Sequence, residues 1–281
     1  MIDTSITNSN SMTNIPPRLA MFQSFAGYGK CSTTIALPVI SAMGVTVCPV
    51  PTCVLSNHLG FSHVEKQDCT PHMQAYIDAW ERNSASFDGL YCGFLNHTDQ
   101  INVAKNFLSY FKPEVFLLDP VMGDHGRLYS SVDGKIVESL KHLASYADIL
   151  TPNLTESCLL TDTPYKENWT EEEFCELLLS LANLCPGKIA MTGIEQKGQY
   201  ITYIYEDGAI STCITPTAGP SKHGTGDLFA SILIADALHH RSFTDSVKKA
   251  SDFIALCIAE SEKLQIPEKE GLLFEPFLNT L

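Results

Sequence analysis

Between Lys222 and His240 the chain reads KHGTGDLFASILIADALHH. Gly224 and Gly226 both disfavour the start of a helix, and Asp227 is a costly neighbour for Leu228 and Phe229, so propensity alone does not account for the stretch. A glycine-flanked turn that opens a helix leaves successive backbone N–H groups unpaired. Together with the helix dipole these attract a phosphate or a developing oxyanion. The following LFASILIADAL is apolar nearly all round, which predicts a buried central helix whose N-terminus lies in a cleft. A carboxylate at that end is placed to take a proton from an attacking hydroxyl. Asp227 also has a plainer reading, as a residue that offsets the helix dipole for about 0.3–1 kcal/mol.

Other segments offer partners for that chemistry. In LLDPVMGDHGRLY, Asp119 ends an apolar run and Pro120 forces the chain out of it, leaving the carboxylate at a rim with Asp124 five residues on. Two such carboxylates suit Mg²⁺, which takes one or two of them plus phosphate oxygens and water; they also serve as turn-forming aspartates. In TPNLTESCLL, Asn153 and Glu156 have capping-box spacing and could equally face metal-bound phosphates, and both roles can hold at once. MTGIEQKG puts Thr192 and Gly193 at an expected strand end, either to meet a phosphate or as an ordinary turn. FQSFAGYGKCS places Ser24 at a strand end before Gly27 and Gly29. It contains neither a Walker A sequence nor a G-x-G-x-x-G fingerprint. SNHLGF offers Asn57 and His58 to a small ring, although a lone histidine is more often structural. The nine histidines lack the spacing of a zinc site.

The elements that must carry these residues follow a rhythm. Apolar strand-like runs (LAMFQS, VTVCPVPTCVL, DGLYCGFL, EVFLLDPV, DILTPN, KIAMTG) alternate with helices of about 10–15 residues, the pattern of a parallel sheet covered on both faces. QYITYIYEDGAISTCIT then reads as a hairpin turning at Asp207 and Gly208, before two closing helices that reach about Lys263. In such a sheet, ligands bind beyond the carboxyl ends of the strands. Ser24, Thr52, Gly93, Asp119, Thr151 to Asn153, Thr192 and Gly193 are all expected there. The expectation is a disordered tail over 1–17 and one α/β domain over 18–281.

Composition bounds the partners. Of 281 residues, 44% are hydrophobic and 18% charged, with a formal net charge of -14. No basic cluster supplies a nucleic-acid footprint, and no apolar run approaches the roughly 20 residues that cross a bilayer. Ten cysteines include no Cys-x-x-Cys and sit mostly in apolar company, as expected for reduced thiols of a cytoplasmic protein.

Taken in order, FQSFAGYG, SNH, DPVMGD, TPNLTE and HGTGDLF resemble the pyridoxal (vitamin B6) kinases of the ribokinase superfamily, across nearly all of 18–265. The resemblance implies a ribokinase-like three-layer sandwich and ATP-dependent phosphorylation of the 5′-hydroxymethyl group of pyridoxal, pyridoxine or pyridoxamine. Hydroxymethylpyrimidine kinase and a non-catalytic B6-binding protein are the alternatives. It implies MgATP, K⁺ as an auxiliary ion and a homodimer. Asp227 matches the family's catalytic base, and the amides of Gly224, Thr225 and Gly226 its anion hole. Asp119, Asp124, Asn153 and Glu156 match positions near metal and ATP phosphates. Thr151 and Thr192, with Gly193 beside it, match the nucleotide side, and Tyr129 a loop covering ATP. Ser24 matches the residue that meets the pyridine ring, with His58 beside it. Leu59 and Phe94 stand where the family commonly has Thr and Tyr, so each loses a hydroxyl facing the ring.

Overall fold

The computed structural model describes residues 15–281, so most of the expected N-terminal tail lies outside the described residues. Nine strands form one sheet in the order β11-β10-β9-β8-β5-β4-β1-β2-β3. They are β1 (Arg18–Tyr28), β2 (Thr46–Asn57), β3 (Lys66–Asp68), β4 (Gly89–Cys92), β5 (Val115–Leu118), β8 (Ile149–Leu150), β9 (Lys188–Gln196), β10 (Gln199–Glu206) and β11 (Ala209–Pro216). A separate hairpin joins β6 (Gly123–Asp124) to β7 (Arg127–Leu128). The strands from β2 through β1, β4, β5 and β8 to β9 are parallel, while β3 at one edge and β10–β11 at the other are antiparallel.

Strand alternation sorts the core into two layers. Leu19, Met21, Tyr91 and Leu117 pack on α1 (Thr33–Ala42), α7 (Thr225–Leu238) and α8 (Phe243–Lys263). Ala20, Phe22, Leu90 and Cys92 face the other way, against α2 (Thr70–Arg82), α3 (Thr98–Phe111), α4 (Gly134–Ala144) and α6 (Glu171–Leu184). This is the expected three-layer α/β sandwich, and it explains the apolar strands: each is covered on both faces. Helix α7 is buried from Leu228 through Asp236, as its all-round apolar sequence requires. The Asp207–Gly208 turn lies between β10 and β11 as read, with both residues at positive φ.

Several strand ends lie elsewhere than the sequence suggests. Ser24 is inside β1, because β1 and β2 stay paired to Tyr28 and Asn57 after a register shift between Gln23 and Phe25. Two residues of β2, Thr52 and Cys53, stand opposite Ser24 at this shift, so Thr52 too is mid-strand. Thr192 and Gly193 are likewise inside β9, which continues to Gln196 and turns at Lys197–Gly198 into β10. The apolar run ends before the backbone pairing does in each case. All ten cysteines are free, five of them buried and none fully exposed.

Candidate active site

The chain leaves β1 for β2 on one side and returns through β4 on the other, so the order in which parallel strands are added reverses between β1 and β4. A crevice at the carboxyl ends of these strands is where an open α/β sheet accepts a ligand. Gln23 from β1, Gly93 just past β4, Asp119 just past β5 and Thr151 just past β8 line this rim. Helix α7 begins beneath them.

Gly224 caps α7 at φ 90 and takes the Leu228 amide on its carbonyl. A Cβ there would lie 2.1 Å from Ile35 Cδ1 and 2.7 Å from the Lys30 carbonyl, so only glycine fits. The Thr225 amide reaches back to the Lys222 carbonyl at 3.4 Å. The Gly226 and Asp227 amides have no acceptor among the described residues. Of the three amides expected to face an anion, those of Gly224 and Gly226 are unpaired among the described residues, the turn takes up the Thr225 N–H, and the Asp227 N–H is a further free donor. Gly226 is exposed, and a methyl on it would meet nothing within 4 Å. The helix end is open.

Asp227 is held from both sides. Its Oδ2 accepts from the Ser32 amide at 2.7 Å, and its Oδ1 from Gln23 Nε2 at 3.4 Å. Burial pushes its pKa up to about 6 against the pull of these two donors. Ser32 adopts φ 50 at the entrance to α1, and its Oγ accepts from Ser24 Oγ at 2.9 Å. Ser24 therefore reaches the site through Ser32. Tyr91, fully buried on β4, has a hydroxyl beside Gln23 with no well-formed hydrogen bond among the described residues, and burial followed by Asp119 and Asp227 raises its pKa.

Asp119 and Glu156 form an acidic group on the neighbouring side. No donor among the described residues reaches the Asp119 carboxylate, and its pKa is raised by burial, then by Glu156 and Asp227. Glu156 completes a capping box on α5 (Leu154–Leu160): Asn153 Oδ1 accepts from its amide, and its Oε2 accepts from the Asn153 amide. Its Oε1 also accepts from the Met122 amide at 3.0 Å. The capping-box reading of this pair is what the geometry shows, and burial raises the Glu156 pKa. Asn153 Nδ2 donates to the Gly123 carbonyl and Thr155 Oγ1 accepts from the Gly126 amide, which pins the β6–β7 hairpin over α5. Asp124 lies exposed on this hairpin beside His125. Tyr129 follows it, its pKa raised by burial and then by Glu156, Asp124, Asp119 and Asp227. Thr151 Oγ1 is buried without a partner among the described residues. Thr192 bridges to Asn153 across the end of β8, and Gly193 takes φ 74 against the Asn153 side chain.

The residues expected on the ring side fall in three different surroundings. His58 Nδ1 accepts from the Gly60 amide and Nε2 lies 2.8 Å from the Lys269 carbonyl, so the ring carries its proton on Nε2 and spends both nitrogens within the protein. It packs at a tilt against His223, with ring centroids 4.4 Å apart, and Phe61, at 4.6 Å. Leu59 is exposed, whereas Phe94 is buried with Ala26, Cys53 and Leu55. A recess of about 750 Å³ lined by Met43, His239, Arg241 and Lys249 sits at the opposite end of α7 and shares no residue with the rim.

The sequence reading gave no role to Gln23, Ser32 or Tyr91. The available signal was a glutamine inside the apolar run LAMFQSFA, a fully buried amide needing partners.

An open helix end, a half-buried carboxylate beside it and an acidic group across from it define a small-molecule phosphotransferase of the α/β class. Residues 36–273 match the phosphomethylpyrimidine kinase family, and the chain belongs to that family. It is a kinase. A Bacteroides thetaiotaomicron protein provisionally named a phosphomethylpyrimidine kinase superposes with a TM-score of 0.92, at 32% identity over 95% of this chain and 94% of that one. A second crystal form of that protein, with pyridoxal, gives 0.88 at 32% identity, over 94% and 95% of the two chains. The pyridoxal kinase of Bos taurus is 27% identical over 244 residues, 78% of this chain and 76% of its own. The hydroxymethylpyrimidine/phosphomethylpyrimidine kinase of Aquifex aeolicus is 29% identical over 180 residues, 63% and 69% of the two chains.

Proposed function

We propose that the protein transfers the γ-phosphoryl group of ATP to the 5′-hydroxymethyl group of pyridoxal, pyridoxine or pyridoxamine, giving the 5′-phosphate and ADP. The observation that carries this reading is the open N-terminus of α7, with two free amides and the Asp227 carboxylate side by side at the strand switch. The B6 class is supported by the relatives named pyridoxal kinase and by the pyridoxal-bound form of the 32%-identical structure.

Phosphoryl transfer asks mainly for positioning and charge stabilisation. With a pKa of about 6 Asp227 is roughly nine-tenths ionised at pH 7. It accepts the hydroxyl proton as the substrate oxygen forms its bond to the γ-phosphorus and the bond to the bridging oxygen of ADP breaks. The Gly226 and Asp227 amides face the oxygens of the moving group. Thr151, Thr192, Gly193 and Tyr129 lie on the nucleotide side, where the buried Thr151 hydroxyl offers an unused donor and acceptor.

The acidic group fits Mg²⁺. Asp119 has free lone pairs, and its pKa and that of Glu156 are raised by burial and by neighbouring carboxylates, the imbalance a divalent cation relieves. Asp119 would hold the ion, with Asp124 and Glu156 nearby, and the ion would offset the charge of the ATP phosphates. Among the described residues no three His, Cys, Asp or Glu side chains converge, so Asp119, Asp124 and Glu156 do not by themselves form a metal site, and an ion here would need phosphate or water ligands as well. The same reading places the enzyme in the cytoplasm as a homodimer. The exposed Phe25, Tyr28 and Val54 near the free ends of β1 and β2 support the latter.

The test is ADP release with ATP and each of pyridoxal, pyridoxine, pyridoxamine and hydroxymethylpyrimidine, with and without Mg²⁺ and K⁺. A B6 vitamer should have the highest kcat/KM. Preference for hydroxymethylpyrimidine would assign the second reading, which the family match and the Aquifex aeolicus relative favour.

A further inference from the structure

We infer that Gln23 is a positioning residue of this site: its side-chain amide, accepting from the Phe94 amide and donating to Asp227, fixes where the base stands, and Gly93 is glycine because that amide fills the place of its Cβ. The inference deepens the functional reading above and rests on it.

Gln23 is fully buried on β1, at the strand switch. Its Oε1 accepts from the Phe94 N–H at 3.2 Å. A backbone amide can only donate, so this bond sets the orientation of the side chain and leaves Nε2 for Asp227 Oδ1 at 3.4 Å. That contact is long, as hydrogen bonds of a base often are before the substrate is seated. Oδ2 is already tied at 2.7 Å to the Ser32 amide. One bond would let the carboxylate pivot, and a second from the opposite side fixes its plane. A Cβ on Gly93 would lie 2.1 Å from Nε2 and 2.4 Å from Cδ of Gln23, so the strand end after β4 is hollowed out to admit this one amide.

Among the described residues no salt bridge to Asp227 duplicates the role. Asp227 raises the pKa of Cys31 before α1, Tyr91 on β4, Asp119 past β5 and Tyr129 past β7, while its own pKa is set by burial and by the Ser32 and Gln23 donors, with no cation among these causes. A neutral amide steadies the base here without the strong pKa depression that a lysine or arginine would impose.

Two variants separate positioning from packing. Gln23→Glu keeps the shape and the acceptor for Phe94 but removes the donor to Asp227; Gln23→Met removes both polar ends. Each should lower kcat at least about tenfold with the KM for ATP within about twofold of wild type. The acid limb of kcat/KM should move to higher pH, further in Gln23→Glu, because a donor that restrained the Asp227 pKa is gone. The Asp227 carboxyl, followed by ¹³C NMR and assigned by its loss in Asp227→Asn, should titrate higher in both and reports even where turnover is low. Wild-type kcat in Gln23→Glu with an unmoved carboxyl titration would overturn the inference. So would losses that track only a lower Tm with the acid limb in place. A wild-type protein that releases no ADP with any of the four alcohols would overturn the functional reading itself, and that measurement comes first.

Discussion

Two glycines two residues apart at the start of α7 should respond to alanine in opposite ways. A methyl on Gly226 meets nothing within 4 Å, and the residue lies in the first helical turn without a positive φ. Alanine there gains helix propensity, about 0.5–1 kcal/mol, which raises Tm by roughly 1–4 °C. The same methyl stands in the open space in front of the free amides. Displacing the phosphoryl group by about 1 Å costs on the order of a hundredfold in kcat. Gly224→Ala meets the reverse situation. Its φ of 90 costs about 1–2 kcal/mol for an L-residue, and the 2.1 Å approach to Ile35 Cδ1 adds about 1–3 kcal/mol of overpacking. A loss of about 2–5 kcal/mol should lower Tm by roughly 4–20 °C. Calorimetry and steady-state ADP release on both variants decide the matter. If Gly226→Ala keeps wild-type turnover, the space at the helix end is not where the phosphoryl group goes, and the anion-hole argument fails.

Asp227→Asn should lower kcat by at least about a hundredfold while leaving nucleotide binding by calorimetric titration nearly unchanged. Its effect on stability has the opposite sign. The folded pKa, raised from 3.8 to about 6, means that ionisation of Asp227 costs stability progressively as pH rises from about 4 to 6, up to about 3 kcal/mol in full above that. The variant should therefore melt higher than wild type at pH 7.5 but not at pH 4, and equal Tm differences at both would refute the assigned shift. For the wild-type enzyme, kcat/KM should fall on the acid side with an apparent pKa near 6, and a flat profile down to pH 5 would remove Asp227 as the base. Leu59→Thr combined with Phe94→Tyr should change relative kcat/KM among the three vitamers more than ATP affinity. Phe94→Tyr alone should lower Tm, since Phe94 is packed among Ala26, Cys53 and Leu55. Unchanged vitamer ratios would reject the ring-side assignment.

The architecture was legible because its signals are long and repetitive. Buried parallel strands must be apolar throughout, and α7 could be read from an apolar run with no polar face. What the sequence hid was where pairing continues after hydrophobicity stops. Ser24, Thr52 and Thr192 look like strand ends because they are polar, yet they sit at irregularities beyond which β1–β2 and β9–β10 resume their pairing. The base and the glycine turn were legible as a contiguous motif. Gln23 and Ser32 were not given roles, since their partners lie 204 and 195 residues away in the chain and no local spacing encodes such contacts. His58 shows the same limit: its partner carbonyl on Lys269 is 211 residues distant.

Helix α7 joins the interior of the molecule to its reactive tip. From Leu228 through Asp236 it is enclosed, and its first turn carries the base and the free amides. No local fluctuation can withdraw that tip without opening the hydrophobic layer between the sheet and α1 and α8. Amide hydrogens along the middle of α7 should therefore exchange only through whole-molecule opening, whereas those of the two-residue strands of the β6–β7 hairpin exchange far sooner. Heat inactivation and unfolding should then proceed as a single event, with one rate constant for both.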